Sequence, residues 1–229
     1  MLAVGQLVTN GKMNPQQIPE KLVFVVAEKD LPPAAPLRFR VLAFLADGVL
    51  SLIVAALAVK ILVPVFYPDG FSLFAGYYRD FQTAYDAALN AAVNGNVDRT
   101  AIDAVSARAL QDEKLYSFFE TVYSISFIAV ALYFVLTEFF LHGQTLGKKI
   151  FGLRTVVFGT PFPPLFLQIL SRSFWKAITL VPVGLLLALL GIANAAVVLF
   201  ARRHRGWHDK LAKTEVIDLR ELEKRSSKK

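Results

Sequence analysis

The feature that most constrains this chain is an apolar run from Val41 to Phe66 that contains a carboxylate, Asp47. Arg38 and Arg40 stand at the start of this run. Seven residues make about two helical turns, so Arg40 and Asp47 share one helix face, roughly 10 Å apart along the axis. A charge inside a bilayer-spanning helix costs about 2.5–3.5 kcal/mol on insertion scales. We therefore expect Asp47 to face protein or water and to have a partner.

Composition supports an integral membrane protein. Of the 229 residues 55% are hydrophobic, against about 45–50% in a soluble domain. The net charge of +7 is clustered, which favours membrane topology over nucleic-acid binding. The absence of cysteine excludes disulfides and thiolate chemistry. Because no Ser-His-Asp order, metal-binding motif or cofactor loop is present, we expect no catalytic residues, metal or cofactor.

Three regions follow from the distribution of polar residues. Residues 1–37 are expected to be a flexible cytoplasmic leader rich in proline, with one short strand over 21–27. Residues 38–217 form the membrane domain, and the charged residues 218–229 are expected to fray. No cleavable signal peptide is recognisable, so the first membrane helix would direct insertion.

The apolar segments predict an all-α membrane protein, a small polytopic bundle of four membrane helices. Helix 1 covers about 40–66 and helix 2 about 116–141. Two short helices over 164–181 and 184–200, which can also form a hairpin, would return the basic cluster 202–205 to the cytoplasm. The alternative is a single span over 177–200, which would place that cluster outside.

Residues 67–115 predict a helical insert outside the cytoplasm, between helices 1 and 2. Its seven acidic and four basic residues give a net charge of −3. Aromatic residues recur at helical spacing from Phe74 to Tyr85, residues 94–96 are a turn signal, and a second helix is predicted over 97–110. The insert is either a binding lid or a packed spacer.

Four polar groups are expected to share one layer near the cytoplasmic side. In the four-helix topology they fall within about 6 Å of each other in depth; they are Asp47, Glu138, Arg172 and Asn194. We hypothesise that Arg40 and Arg172 compensate Asp47 and Glu138, with Asn194 supplying hydrogen bonds. Two interpretations remain open: an ion-pair latch that fixes helix packing, and a carboxylate that lines an ion or solute path.

Two polar segments complete the candidate site. Residues 142–161 contain no acid and three bases, so they are predicted to be cytoplasmic. The run from Gly143 to Lys149 has the wrong spacing for a phosphate-binding loop. In the tail, Asp209 is expected to pair with Lys148 or Arg154, or to cap a short helix. His208 beside it could form a metal or acid–base pair, but no further ligand is evident.

Three landmarks, in this order, closely resemble the RDD family of small membrane proteins. That family is named for an arginine that opens the first helix, an aspartate inside it and a second aspartate after the last helix; these match Arg40, Asp47 and Asp209. The family's middle pattern matches Gly143, Thr145, Leu146, Gly147, Lys148, Gly152, Leu153 and Arg154, and its closing pattern matches His208, Asp209, Ala212 and Thr214. This chain departs from the family in having Lys213 where glycine is common, and in its long insert.

The resemblance implies location and fold more directly than activity. It implies a multi-pass protein of the cell's inner membrane, and the four-helix topology predicts both termini in the cytoplasm. It also implies a transporter or transport-associated subunit for an unidentified ion or small solute. Because four helices make a thin wall, we expect a homo-oligomer or partner membrane proteins in the lipid bilayer. The alternative is a non-catalytic scaffold or assembly factor that recruits partner proteins.

Overall fold

The computed structural model describes residues 32–93, 99–181 and 185–227. Helix α1 covers Leu37–Phe66, α2 Gly70–Val93, α3 Thr100–Gln111, α4 Glu113–Phe140 and α5 Leu146–Ile150. Strand β1 (Leu153–Val157) is followed by α6 (Phe166–Leu180) and α7 (Leu185–Phe200). A 3-10 turn at Arg202–His204 leads to α8 (Trp207–Leu211), β2 (Thr214–Asp218) and α9 (Leu219–Ser226).

Two helices in the described part, α1 and α4, are long and apolar enough to cross a membrane. With 30 and 28 residues they are about 40–45 Å long, more than the hydrocarbon core of a bilayer. Every fourth position of α1 from 43 to 55 is buried, and three of these four residues are small: Ala43, Ser51 and Ala55. Large side chains such as Leu45 and Val49 are exposed. Small residues inside and large ones outside are typical of helices that pack within lipid.

The chain between Phe166 and Phe200 forms two helices rather than one continuous span over 177–200. Helix α6 ends at Leu180 and α7 begins at Leu185. Each is only 15 or 16 residues long, about 22–24 Å, which is shorter than a typical bilayer core. The two-helix prediction matches these bounds to within a few residues.

A small sheet is the main departure from an all-α fold. Strand β1 pairs antiparallel with β2, with Thr155 opposite Val216. The segment just before α1 joins them: Ala34 forms a bridge to Ile217, and the Ala35 amide donates to Val216 O. We call the end of the molecule that carries this sheet the sheet end. Residues 32–36 are therefore fixed at the sheet end, and the prediction that the leader is flexible up to residue 37 is wrong for them; the predicted strand 21–27 lies outside the described residues.

The prediction that residues 218–229 fray is also wrong for most of them. Leu219–Ser226 is helical, and the Asp218 carboxylate caps this helix by accepting from the Arg220 amide at 3.0 Å. Its Glu, Lys, Leu and Arg residues are good helix formers, so a charged composition alone did not indicate disorder.

The insert consists of two helices, α2 and α3, as the aromatic spacing indicated. They are tied to the start of α4, where the Tyr77 hydroxyl donates to the Asp112 carboxylate at 2.7 Å. This hydrogen bond raises the pKa of Tyr77 and lowers that of Asp112. Gly70 lies so close to the Phe118 ring that an added Cβ would lie 2.2 Å from it. The predicted turn 94–96 lies outside the described residues.

Candidate functional site

Seven charged side chains converge where α1, α4, α5, α6 and α8 meet at the sheet end. We call this set the charge layer. All seven are buried or nearly so. Its members are Arg40, Asp47, Glu138, Lys148, Arg172, Lys176 and Asp209.

Glu138 of α4 is fully buried and faces three cations. Its Oε1 accepts from Lys148 Nζ and from Lys176 Nζ, each at 2.5 Å. Its Oε2 lies 3.5 Å from Arg172 Nε. Through these contacts with Lys148, Lys176 and Arg172, Glu138 ties α4 to α5 and α6.

Asp209 of α8 joins the tail to two arginines. Its Oδ2 accepts from Arg40 Nη2 at 2.8 Å, and its Oδ1 accepts from Arg172. Burial alone would raise the pKa of Asp209, but Arg172, with smaller contributions from His208 and Arg40, holds this pKa well below its usual range. The predicted pairing with Lys148 or Arg154 is wrong, because Asp209 pairs with Arg40 and Arg172, while Lys148 bonds to Glu138. The prediction that Asp209 caps a helix from Lys210 is also wrong, since α8 begins at Trp207; the carboxylate instead accepts from the Gly206 amide inside its own first turn.

Asp47 has no arginine partner among the described residues, contrary to the hypothesis that Arg40 or Arg172 compensates it. Its Oδ1 accepts from the Tyr133 hydroxyl at 2.9 Å and from the Gly147 amide at 2.8 Å, and its Oδ2 accepts from the Thr145 hydroxyl. Arg40 points instead towards the tail, where it also donates to Arg203 O at 3.1 Å. The shared helix face was correctly predicted, but each side chain has its own partners.

The turn around α5 explains why glycine and threonine stand in this segment. A Cβ on Gly147 would lie 2.3 Å from Ala43 O and 2.9 Å from the Asp47 carboxylate, so only glycine permits this approach. Thr145 caps α5 while donating to Asp47. Gly143 and Gly152 both have positive φ, 90° and 67°, which glycine adopts without strain.

Asn194 and His208 lie at the edge of the charge layer. The Asn194 amide nitrogen lies 3.1 Å from His208 Nδ1, and Asn194 Oδ1 accepts from the Trp207 amide at 2.9 Å. Asn194 therefore holds the tail in place through His208 and Trp207, and its hydrogen bonds do not go to the arginines of α1 and α6 as the hypothesis expected. Burial lowers the pKa of His208 to about 4, so this imidazole is neutral at pH 7. No cluster of three metal-ligating side chains occurs in the described ranges.

Sequence reasoning missed several members of this site. Lys176 lies one turn after Arg172 on the same buried face of α6, and that spacing could have identified it. Thr155, which no sequence pattern singled out, accepts from Lys148 Nζ at 2.7 Å. Thr214, which the closing pattern did include, accepts from Arg172 at 2.5 Å. Tyr133 carried no sequence signal that separated it from the other aromatic residues of α4. Arg154, predicted with the motif, has a buried Nε with no partner in the described structure.

One of three comparisons with known proteins gave a match. The model of the RDD family matches residues 34–213, most of the 229-residue chain. The chain belongs to the RDD family. Searches of curated proteins and of solved structures gave no match. The RDD match ends one residue before Thr214, so it covers α1 to α8 and the whole charge layer.

The three landmark residues of this RDD domain do not form one triad. The landmark arginine, Arg40, pairs with the second aspartate, Asp209, whereas the first, Asp47, binds the turn that contains Thr145 and Gly147. The unusual Lys213 has φ of 51°, a conformation that favours glycine. This chain therefore adopts at Lys213 a turn conformation that glycine would adopt without strain.

Proposed function

We propose that this RDD protein is a transporter or transport-associated subunit for an ion or small solute, with the charge layer along its path. The supporting observation is a cavity of about 270 Å³ that adjoins the charge layer between α1, α6 and α7. Its wall includes Arg40, Asp47 and Lys148 from the layer, with Asn194 and His208 at its edge. Charged groups at membrane depth that border a cavity are typical of ion and solute pathways.

We further propose four membrane crossings, α1, α4, α6 and α7, with both termini in the cytoplasm. The sheet supports this topology, because it gathers the chain before α1, after α4 and after α7 at one end. The chain must cross the membrane an even number of times between two segments that lie at the same end. Helices α1 and α4 provide two crossings between residue 36 and β1, and α6 and α7 provide two between β1 and β2. Basic residues at the sheet end, such as Lys149 and Arg205, agree with a cytoplasmic location, which leaves α2 and α3 outside. The shortness of α6 and α7 favours tilting or local bilayer thinning.

The charge layer also acts as a latch in this proposal. Asp47, Glu138 and Asp209 are at most 2% exposed, and each has at least two partners. A transport cycle would have to break some of these pairs, so the structure corresponds to a resting state. The thin wall of four helices leads us to propose an oligomer.

A scaffold is the second candidate, and one observation favours it. Helix α2 exposes a row of aromatic residues, each at least 40% accessible: Phe71, Phe74, Tyr78, Phe81 and Tyr85. Such a row is typical of protein or membrane contacts. A photocrosslinking residue at Tyr85 would form adducts with a partner protein if the scaffold is correct, and the same residue at Gln82 would form fewer.

Proteoliposomes test the transport proposal. The full chain is reconstituted, and internal pH is followed under gradients of Na⁺, K⁺, Li⁺ or gluconate. We expect a flux that Asp47→Asn abolishes and that Asp80→Asn leaves unchanged, since Asp80 lies on exposed α2 and its ion pair with Arg108, at 3.3 Å, is more than half exposed. The absence of flux under every gradient would refute this proposal and favour the scaffold.

A further inference from the structure

The charges of the layer do not balance. It contains four cations and three carboxylates, counted over the described residues that bond within it. His208 adds no charge at pH 7, because burial lowers its pKa to about 4. The neighbouring Arg203 is paired with Glu215 at 2.7 Å, and Arg205, over the Phe158 ring at 4.0 Å, adds positive charge at the edge. An uncompensated buried charge is strongly unfavourable.

The excess positive charge faces the cavity. All four cations of the layer line it, whereas Asp47 is its one lining carboxylate in the described part. Both Asp47 oxygens already accept hydrogen bonds from three donors, and Glu138 and Asp209 lie behind the cations that they bind. The cavity therefore presents donors and positive potential to any occupant.

The remaining wall is apolar. Val41 and Phe44 of α1, Val198 and Leu199 of α7, and Val216 of β2 complete it. A hydrated inorganic ion would lose water against this surface without replacement contacts. A ligand with one negative charge and an apolar body would pair its charge with the cations and pack its apolar body against the apolar side chains.

We propose that this cavity binds a monoanionic oxyacid group, a carboxylate or phosphodiester, carried on an apolar body. The group's charge matches the single unbalanced cation of the layer. The ligand is either a free organic anion or the headgroup of an anionic lipid. Binding at this site does not depend on the proposed function. Only the step that would carry the bound ligand across the membrane rests on it.

Protonation of Lys148 is linked to ligand binding at this site. Lys148 contacts Glu138 from α4 and Thr155 from β1, and it interacts electrostatically with Arg172 and Lys176 from α6 and with Asp209 from α8. Burial, then the charges of Lys176 and Arg172, lower the pKa of Lys148 to about 7 against the opposing charge of Glu138. Without a ligand, loss of the Lys148 proton balances the layer. When an anion binds, Lys148 Nζ takes a proton from solvent, so anion and proton enter together.

Calorimetry on the purified full chain in a neutral detergent tests the site. One arm compares benzoate with benzamide, which has the same shape without the charge. The other compares dioctanoyl phosphatidylglycerol with dioctanoyl phosphatidylcholine. We expect at least one anion to bind tenfold or more tightly than its control, and the arm that responds identifies a free anion or a lipid. At pH 8, buffers of different ionisation enthalpy should show net proton uptake when the anion binds, and affinity should fall by up to tenfold from pH 8 to pH 9.

Variants separate the site from general electrostatics. Lys148→Gln keeps a donor for Glu138 and fixes the neutral state, so the tenfold preference and the proton uptake should disappear. Lys149→Gln removes the same charge from the exposed neighbour and should change neither. If Lys148→Gln does not fold, Val41→Trp, which fills the cavity, should abolish binding while Val49→Trp, two turns along the exposed face of α1, should not.

Two results would overturn the inference: equal affinity for each anion and its control, or unchanged preference after both Lys148→Gln and Val41→Trp. The two proposals fail separately. Anion binding without flux in proteoliposomes would refute transport and keep the site. Cation-driven flux without anion binding would keep transport and refute the site.

Discussion

Replacing Asp47 tests whether this buried carboxylate acts as an acceptor or as a counter-charge. Asp47→Ala removes the acceptor of the Tyr133 hydroxyl, the Thr145 hydroxyl and the Gly147 amide. Hydrogen bonds to a charged group contribute about 1.5–3 kcal/mol each, and loss of the buried charge offsets part of the total. We expect the free energy of unfolding to fall by about 3–5 kcal/mol.

Asp47→Asn separates the two roles. The asparagine carbonyl can occupy the Oδ1 position, where it still accepts from Tyr133 and Gly147. Its amide nitrogen then faces the Thr145 hydroxyl, which can rotate and accept. No cation of the layer pairs with Asp47 in the described structure, so removing its charge leaves no unpaired partner. The substitution does raise the excess of cations in the layer from one to two, and release of the Lys148 proton can offset this increase. We expect a loss of only about 1 kcal/mol.

Unfolding by dodecyl sulfate in mixed micelles, followed by tryptophan fluorescence, measures both values on the full chain. Asp80→Ala serves as the control, because its ion pair with Arg108 is more than half exposed and such pairs contribute about 0–1 kcal/mol. An Asp47→Ala protein as stable as this control would refute the assigned hydrogen bonds. Equal losses for the Ala and Asn variants would show that charge, and hence a cation, stabilises the site.

Three further changes probe the turns and the tail. Gly147→Ala should destabilise the protein strongly, because its Cβ would lie 2.3 Å from a backbone oxygen; Gly76→Ala, with open space around it, should be neutral or slightly stabilising in the same unfolding assay. Lys213→Gly should raise the free energy of unfolding by about 1 kcal/mol, since φ at this exposed position is 51°. The pKa of His208 is lowered to about 4, so the unfolded state binds its proton first as pH falls. Stability should therefore drop by up to about 3 kcal/mol between pH 6.5 and pH 4, and His208→Gln should flatten that profile.

The sequence predicted what depends on local periodicity. The lengths of the apolar segments predicted α1 and α4. The Pro-Val-Gly sequence at 182–184 predicted that α6 and α7 are separate helices. Depth along each helix placed Asp47, Glu138 and Arg172 near one another because rise per residue is fixed. Depth did not determine partners, since a shift of one side chain by about 100° around a helix changes the neighbour that it meets.

The sheet and the tail contacts depended on long-range information. Strands β1 and β2 are five residues each and start 61 positions apart, so neither carries enough pattern to predict the pairing. The sequence predicts only that Asp209 pairs with a base of the inner surface, such as Lys148 or Arg154. The α8 turn instead directs its carboxylate towards α1 and α6, which only the packed structure reveals.

The spacing of Arg40 and Asp47 acquires a physical reason from these contacts. Two turns place both side chains on one face of α1, but at different depths, so each can reach a different element. Arg40, at the helix start, neutralises a carboxylate of the tail, and Asp47, deeper, accepts from the turn that begins α5. Helix α1 thereby holds the chain segments that follow α4 and α7 against itself. A transport cycle that moves α1 would have to change both contacts together. Because α1 also lines the cavity, the same movement would change the shape of the cavity.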